Sequence, residues 1–78
     1  MPHVTVKMWP GPSEPQKRRL ARQIVEDVVA TLKLGEESVS VAIEEVEPGD
    51  WLEEVYRPDI ERRMDELYKK PGYGPADL

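Results

Sequence analysis

Pro2-His3-Val4-Thr5-Val6-Lys7-Met8-Trp9-Pro10-Gly11-Pro12-Ser13-Glu14-Pro15-Gln16 is the stretch on which the fold turns. Val4, Val6 and Met8 alternate with His3, Thr5, Lys7 and Trp9, the two-residue period of a strand with one apolar face. Pro2 falls in phase with the two valines. Proline donates no ladder hydrogen bond but is tolerated as the first residue of a strand, so its ring is expected at the sheet's margin, turned toward the apolar face. Pro10, Gly11 and Pro12 stop the strand. The next four residues have the form of a capping box, with Ser13 as N-cap and Gln16 at the third helical position.

Working outward, Leu20, Ile24, Val25, Val28 and Leu32 recur three and four residues apart, opposite Arg18, Arg22, Glu26 and Lys33. That is the apolar stripe of an amphipathic helix, and Gly35 is predicted to end it. Val39, Val41 and Ile43 then alternate with Ser40, Ala42 and Glu44, a second strand running to about Val46. A strand, a long helix and a second strand imply parallel neighbours joined by a right-handed crossover, the hand of about 98% of such connections. The fold class is therefore α/β, with a βαβ core over residues 2–51.

After the turn Glu47-Pro48-Gly49-Asp50, the residues Leu52, Val55, Ile60, Met64 and Leu67 keep a helical spacing that Pro58 interrupts. Proline is accepted in a first helical turn and disrupts an interior. A short turn over 51–56 followed by a second, C-terminal helix from Pro58 is thus expected, with Lys69 and Lys70 complementing its end. Residues 52–70 form this helical segment and 71–78 a non-helical tail, in a single domain spanning 1–78. A two-stranded sheet with one covering helix leaves its other face bare and both edges unpaired, which invites pairing with another chain.

Composition narrows the function. A chain of 78 residues withdraws only about 60 to 65% of its unfolded surface from water. With no cysteine it carries no disulfide framework and no thiolate metal site. Eleven basic against sixteen acidic residues give a net charge of −5, which repels a phosphate backbone and disfavours nucleic acid as partner. The run Lys17-Arg18-Arg19 reads as a solvated helix face. There is no apolar run long enough for a membrane span and no basic, apolar leader, so a cytoplasmic location is expected. One histidine and scattered carboxylates make no metal centre, and no phosphate loop or Ser-His-Asp set appears; no cofactor is implied.

Pro2 carries the chemistry. Methionine before a small second residue is usually removed, which would leave proline as a secondary amine at the start of the mature chain. An α-amino group titrates near about 7.7 to 8.0, and a site that excludes water disfavours its charged form. Such an amine can act as a general base at neutral pH.

Pro2, the strand behind it, the Ser13-Glu14-Pro15-Gln16 cap and the strand Val39-Ser40-Val41-Ala42-Ile43-Glu44-Glu45 together resemble the tautomerase superfamily, in particular 4-oxalocrotonate tautomerase and its relatives. The likeness spans residues 2 to about 51. The Trp51 segment and the ending Lys69-Lys70-Pro71-Gly72-Tyr73 look closer to the bacterial phenylpyruvate-type branch. The resemblance implies a βαβ subunit that assembles into dimers or hexamers, a dimer being expected for this longer-tailed branch. It also implies an amino-terminal proline, here Pro2, that shuttles a proton between oxygen and carbon, and an aromatic wall over the substrate, here Trp51. At the two positions where diacid tautomerases carry arginines, this chain has Pro12 and Ser40. A guanidinium anchors and polarises an oxo-acid, and losing one donor to an oxyanion costs on the order of 2.7 to 4 kcal/mol. A monocarboxylic 2-oxo acid, such as a phenylpyruvate-like enol, is therefore the expected substrate.

The other residues admit two readings each. Ser40 either lends a hydroxyl or backbone N–H to a substrate oxygen or is an ordinary strand residue. Trp51 either walls the substrate or anchors a core. Arg57, just before Pro58, either replaces the missing carboxylate anchor or pairs at the surface with Glu53, Glu54 or Glu61. Glu44 and Glu45 are expected to face solvent. His3, turned to the face opposite Pro2, is expected to be solvated or to meet another subunit. The resulting expectation is a keto-enol tautomerase with catalytic Pro2 and substrate-binding Ser40, Trp51 and Arg57. Its rivals are a non-catalytic oligomeric binding module on the same fold, and a hydratase or dehalogenase of 3-substituted acrylates.

Overall fold

Strand β1, His3–Met8, pairs in parallel with β2, Ser40–Glu45, in a computed structural model that describes residues 1–78. His3 lies opposite Ser40, Val4 opposite Val41, Val6 opposite Ile43 and Met8 opposite Glu45. This register gathers the alternating side chains into two different faces. Val4, Val6, Met8, Val41 and Ile43 are half-buried on one; His3, Thr5, Lys7, Ser40 and Glu44 are exposed on the other. No further strand joins the pair, so each strand keeps one free edge.

Helix α1, Glu14–Leu32, makes the crossover. Its start is built as the sequence predicts. The Ser13 N–H donates to Gln16 Oε1 at 2.7 Å, and the Gln16 N–H donates to Ser13 Oγ at 3.2 Å. The connection from β1 passes through Gly11 at φ 143°, a conformation that side chains with a Cβ rarely adopt. Leu20, Ile24, Val25 and Val28 are half-buried, as the stripe requires, but Leu32 is 56% exposed. Length explains the difference: 19 helical residues run about 28 Å, whereas six strand residues run about 20 Å. The last helical turn overhangs the sheet.

The helix also ends before the expected glycine. Lys33 takes the left-handed conformation, φ 56° and ψ 50°, and the N–H groups of Lys33 and Leu34 both donate to Val29 O. This six-to-one closure is that of a Schellman motif. Gly35 instead has φ −76° and leads into the 3-10 turn Glu36–Ser38. Chain direction reverses two residues earlier than glycine placement suggests.

The chain divides into two compact units, Met1–Glu45 and Val46–Leu78. In the second, the 3-10 turn Pro48–Asp50 leads into a π-helical stretch, Leu52–Ile60, with Pro58 inside it. The expected break before Pro58 is absent because the helix widens. In an α-helix the proline ring collides with the carbonyl four residues back; the five-residue bonding step of a π-helix opens room there. The Glu61 N–H donates to both Tyr56 O and Arg57 O as the wide turn closes. A 3-10 stretch, Glu61–Glu66, follows with a kink at Arg63, and Leu67 is already extended. The helical segment thus stops short of the expected Lys70, and the tail holds one further 3-10 turn, Pro75–Asp77. Val55 and Tyr56, each 4% exposed, are the buried residues of the chain. No helix is long and apolar enough to cross a membrane.

Candidate active site

Pro2 immediately precedes β1 and is half-buried, while Met1 before it is 98% exposed. With methionine attached, the proline nitrogen is a tertiary amide and has no basicity; the bond that must be cut to free it leads to a solvated residue. Pro2 O accepts a hydrogen bond from the Ser40 N–H at 3.2 Å, so the first strand is tied to the second at its outset.

Ser40 is exposed, and both its N–H and its hydroxyl are engaged. Its N–H serves Pro2, and its Oγ lies 2.6 Å from His3 Nδ1. His3 Nε2 in turn lies 3.3 Å from Thr5 Oγ1. Thr5, His3 and Ser40 form a polar chain across the bare face of the sheet, in which the imidazole tautomer sets which atom donates. His3 is exposed in the single chain, and it also occupies the hydroxyl that was a candidate substrate donor. Strand alternation puts the Pro2 ring and the Ser40 hydroxyl on opposite faces of one chain's sheet.

Trp51 and Arg57 belong to the second unit. The Trp51 Nε1–H donates to Tyr73 Oη at 2.9 Å, and the Tyr73 ring rests against that of Tyr56, with centroids 5.9 Å apart and planes tilted by 46°. The indole is thus pinned by the tail, a contact across 22 residues of chain. Arg57 Nε lies 3.2 Å from Glu53 Oε1, one turn back, with side chains 46% and 70% exposed. An exposed pair at this spacing contributes only about 0.3 to 0.5 kcal/mol. It also uses one of the five guanidinium donors, so Arg57 can exchange Glu53 for another carboxylate at little cost.

One polar cluster departs from the sequence reading. Lys17, in the basic run expected to be solvated, is only 17% exposed and bridges Glu14 Oε1 at 3.3 Å and Glu45 Oε2 at 2.9 Å. The bond to Glu45 raises the Lys17 pKa above its ordinary value, against the opposing effect of desolvation, with Glu14 adding to the rise. Glu45 is thereby turned to the helix side of the sheet. Beside this bridge Glu14, Lys17, Arg18, Ala21, Val41 and Ile43 line a shallow groove of about 270 Å³.

The parallel strand pair with its crossover helix is a fold shared with solved 4-oxalocrotonate tautomerase homologues. The solved structure described as YwhB, a homologue of 4-oxalocrotonate tautomerase, superposes with a TM-score of 0.57 at 43% identity, covering 59% of this chain and 75% of that one. The model of the family described as "Tautomerase enzyme" matches residues 2–58. A probable tautomerase of Xylella fastidiosa is 45% identical over 74 residues, covering 95% of this chain and 90% of its own. Tautomerase PptA of Cronobacter sakazakii is 42% identical over 74 residues, covering 94% and 97%. The chain belongs to the tautomerase family.

Proposed function

We propose that the protein is a keto-enol tautomerase of a small monocarboxylic 2-oxo acid, with the Pro2 nitrogen, freed of Met1, as general acid and base. The observation that carries this reading is the coincidence of Pro2 with the first residue of the family match, directly ahead of β1. The free amine takes the proton of the enol hydroxyl, the carbonyl forms as the double bond shifts, and the resulting prolinium returns a proton to the adjacent carbon. Atoms and charge balance, and no co-reactant is required.

In this proposal Trp51 is the apolar wall against the substrate and Arg57 is the cation for its carboxylate, since Pro12 and Ser40 occupy the positions of the diacid enzymes' arginines. Ser40, on the face opposite the Pro2 ring and engaged by Pro2 O and His3, would reach a substrate only in the site of a second copy. The chain works as a homo-oligomer, a dimer being expected, in the cytoplasm; the two free sheet edges support self-association.

Ketonisation of phenylenolpyruvate, followed by the loss of enol absorbance, tests the reading in protein whose intact mass shows that Met1 is gone. General acid-base groups contribute about 10² to 10⁴ in rate, so Pro2→Ala is expected to lower turnover at least a hundredfold by that measure. Equal rates with and without the unaltered protein would refute it. The engagement of the Ser40 hydroxyl by His3 favours, as second reading, a binding module without turnover, which the same assay separates.

A further inference from the structure

The tail of this chain does something that the proposed proton transfer does not require. Tyr73 follows Pro71-Gly72 and precedes Gly74-Pro75, a segment with no apolar periodicity of its own. It is nevertheless held at both ends of its ring. The hydroxyl accepts the Trp51 indole N–H at 2.9 Å, and the ring packs against Tyr56. Tyr56 is itself almost fully withdrawn from water, so the support is fixed. The segment just beyond is closed by its own local bonds: the Gly74 N–H donates to Asp77 Oδ2 at 2.9 Å and the Asp77 N–H donates to Gly74 O at 3.0 Å.

An indole has one polar atom, its N–H, and two torsions to its ring. With the N–H bound and the partner anchored, the ring plane is set. An unbound indole would instead sample several rotamers and lose that freedom each time a ligand stacked on it. We infer that Tyr73 is a positioning residue for Trp51, holding the indole as a pre-set wall that favours enols bearing a flat aryl group over aliphatic ones. This role rests on the proposed tautomerase reading, in which Trp51 faces the substrate.

A Trp9→Phe background leaves Trp51 as the sole tryptophan, so its indole N–H gives a single side-chain signal in ¹⁵N NMR. Tyr73→Phe keeps the ring on Tyr56 and removes only the acceptor. The indole signal is expected to move upfield and to exchange faster with solvent. KM for phenylenolpyruvate is expected to rise roughly fivefold, the worth of one ordinary hydrogen bond, with kcat changed less than about twofold, the pattern of lost uniform binding. KM for the enol of an aliphatic 2-oxo acid, which has no aryl ring to stack, is expected to stay the same and so controls for folding. An unaltered KM for phenylenolpyruvate in an active Tyr73→Phe protein overturns the positioning role alone, as does an equal rise for both substrates. Absence of turnover before any Tyr73 change overturns the tautomerase reading and this role together.

Discussion

Lys33 and Gly35 offer a pair of substitutions whose signs decide where α1 ends. Lys33 stands at φ 56°, where a side chain with a Cβ costs about 1 to 2 kcal/mol. Lys33→Gly removes that cost but adds about 0.5 to 1 kcal/mol of unfolded-chain entropy, leaving a net gain of about 0.5 to 1 kcal/mol. Gly35, at φ −76°, has no need of glycine's freedom. The atoms nearest to a Cβ there are those of the Glu37 carboxylate, a flexible group that can move aside. Gly35→Ala is therefore also expected to stabilise, by about 0.4 to 1 kcal/mol. In a domain of this size 1 kcal/mol moves Tm by about 4 to 8 °C, so each change is expected to raise Tm by about 2 to 8 °C. Thermal unfolding by circular dichroism at one fixed protein concentration reads both. Were Gly35 the helix terminator that its composition suggests, Gly35→Ala would lower Tm and Lys33→Gly would lower it too. That result refutes the left-handed closure at Lys33.

Two further outcomes follow from the first unit. Ser13→Ala removes the acceptor for the Gln16 N–H and is expected to cost about 1 kcal/mol, read from the urea midpoint; no change would mean that the box is not formed in solution. Lys17→Met should show a pH-dependent deficit. Its folded pKa is raised above 10.5 by the bond to Glu45, so the stabilisation is fully present below the unfolded value and is lost as pH rises through the folded one. The gap in urea midpoint between the unaltered protein and Lys17→Met is expected below pH 10.5 and should close as pH rises through the raised folded value; a gap unchanged across that rise would show that the lysine stem, not its charge, does the stabilising.

The parts of the fold that local chemistry decides were legible in the sequence. Alternation gave both strands, because Val4, Val6 and Met8 cannot share a face in any other period. Ser13 and Gln16 marked the start of α1 because a cap is a local bond. The register was not legible, and with it the meeting of His3 and Ser40, since two strands separated by a helix carry no turn to fix their alignment. Gly35 misleads about the end of α1 because glycine frequency stands in for a backbone angle that Lys33 also adopts. Pro58 suggests a break because the rule for proline assumes an α-helix, and the wider turn evades it. Pro2 stands out as a candidate through its place after Met1 together with the strand and cap that follow it. Tyr73 does not, because nothing in Pro71-Gly72-Tyr73-Gly74 points to an indole far back along the chain.

The sparing burial of this chain has a consequence for handling it. α1 has no fully buried residue, and the apolar face of the sheet is only half withdrawn from water. Any surface that a second copy covers is then surface that folding itself has left unsheltered, and the two equilibria share one reservoir of apolar area. For an obligate pair, mass action ties apparent stability to concentration, about 1.4 kcal/mol for each tenfold dilution. Specific activity measured at nanomolar and at micromolar protein would then describe two different populations of the same molecule.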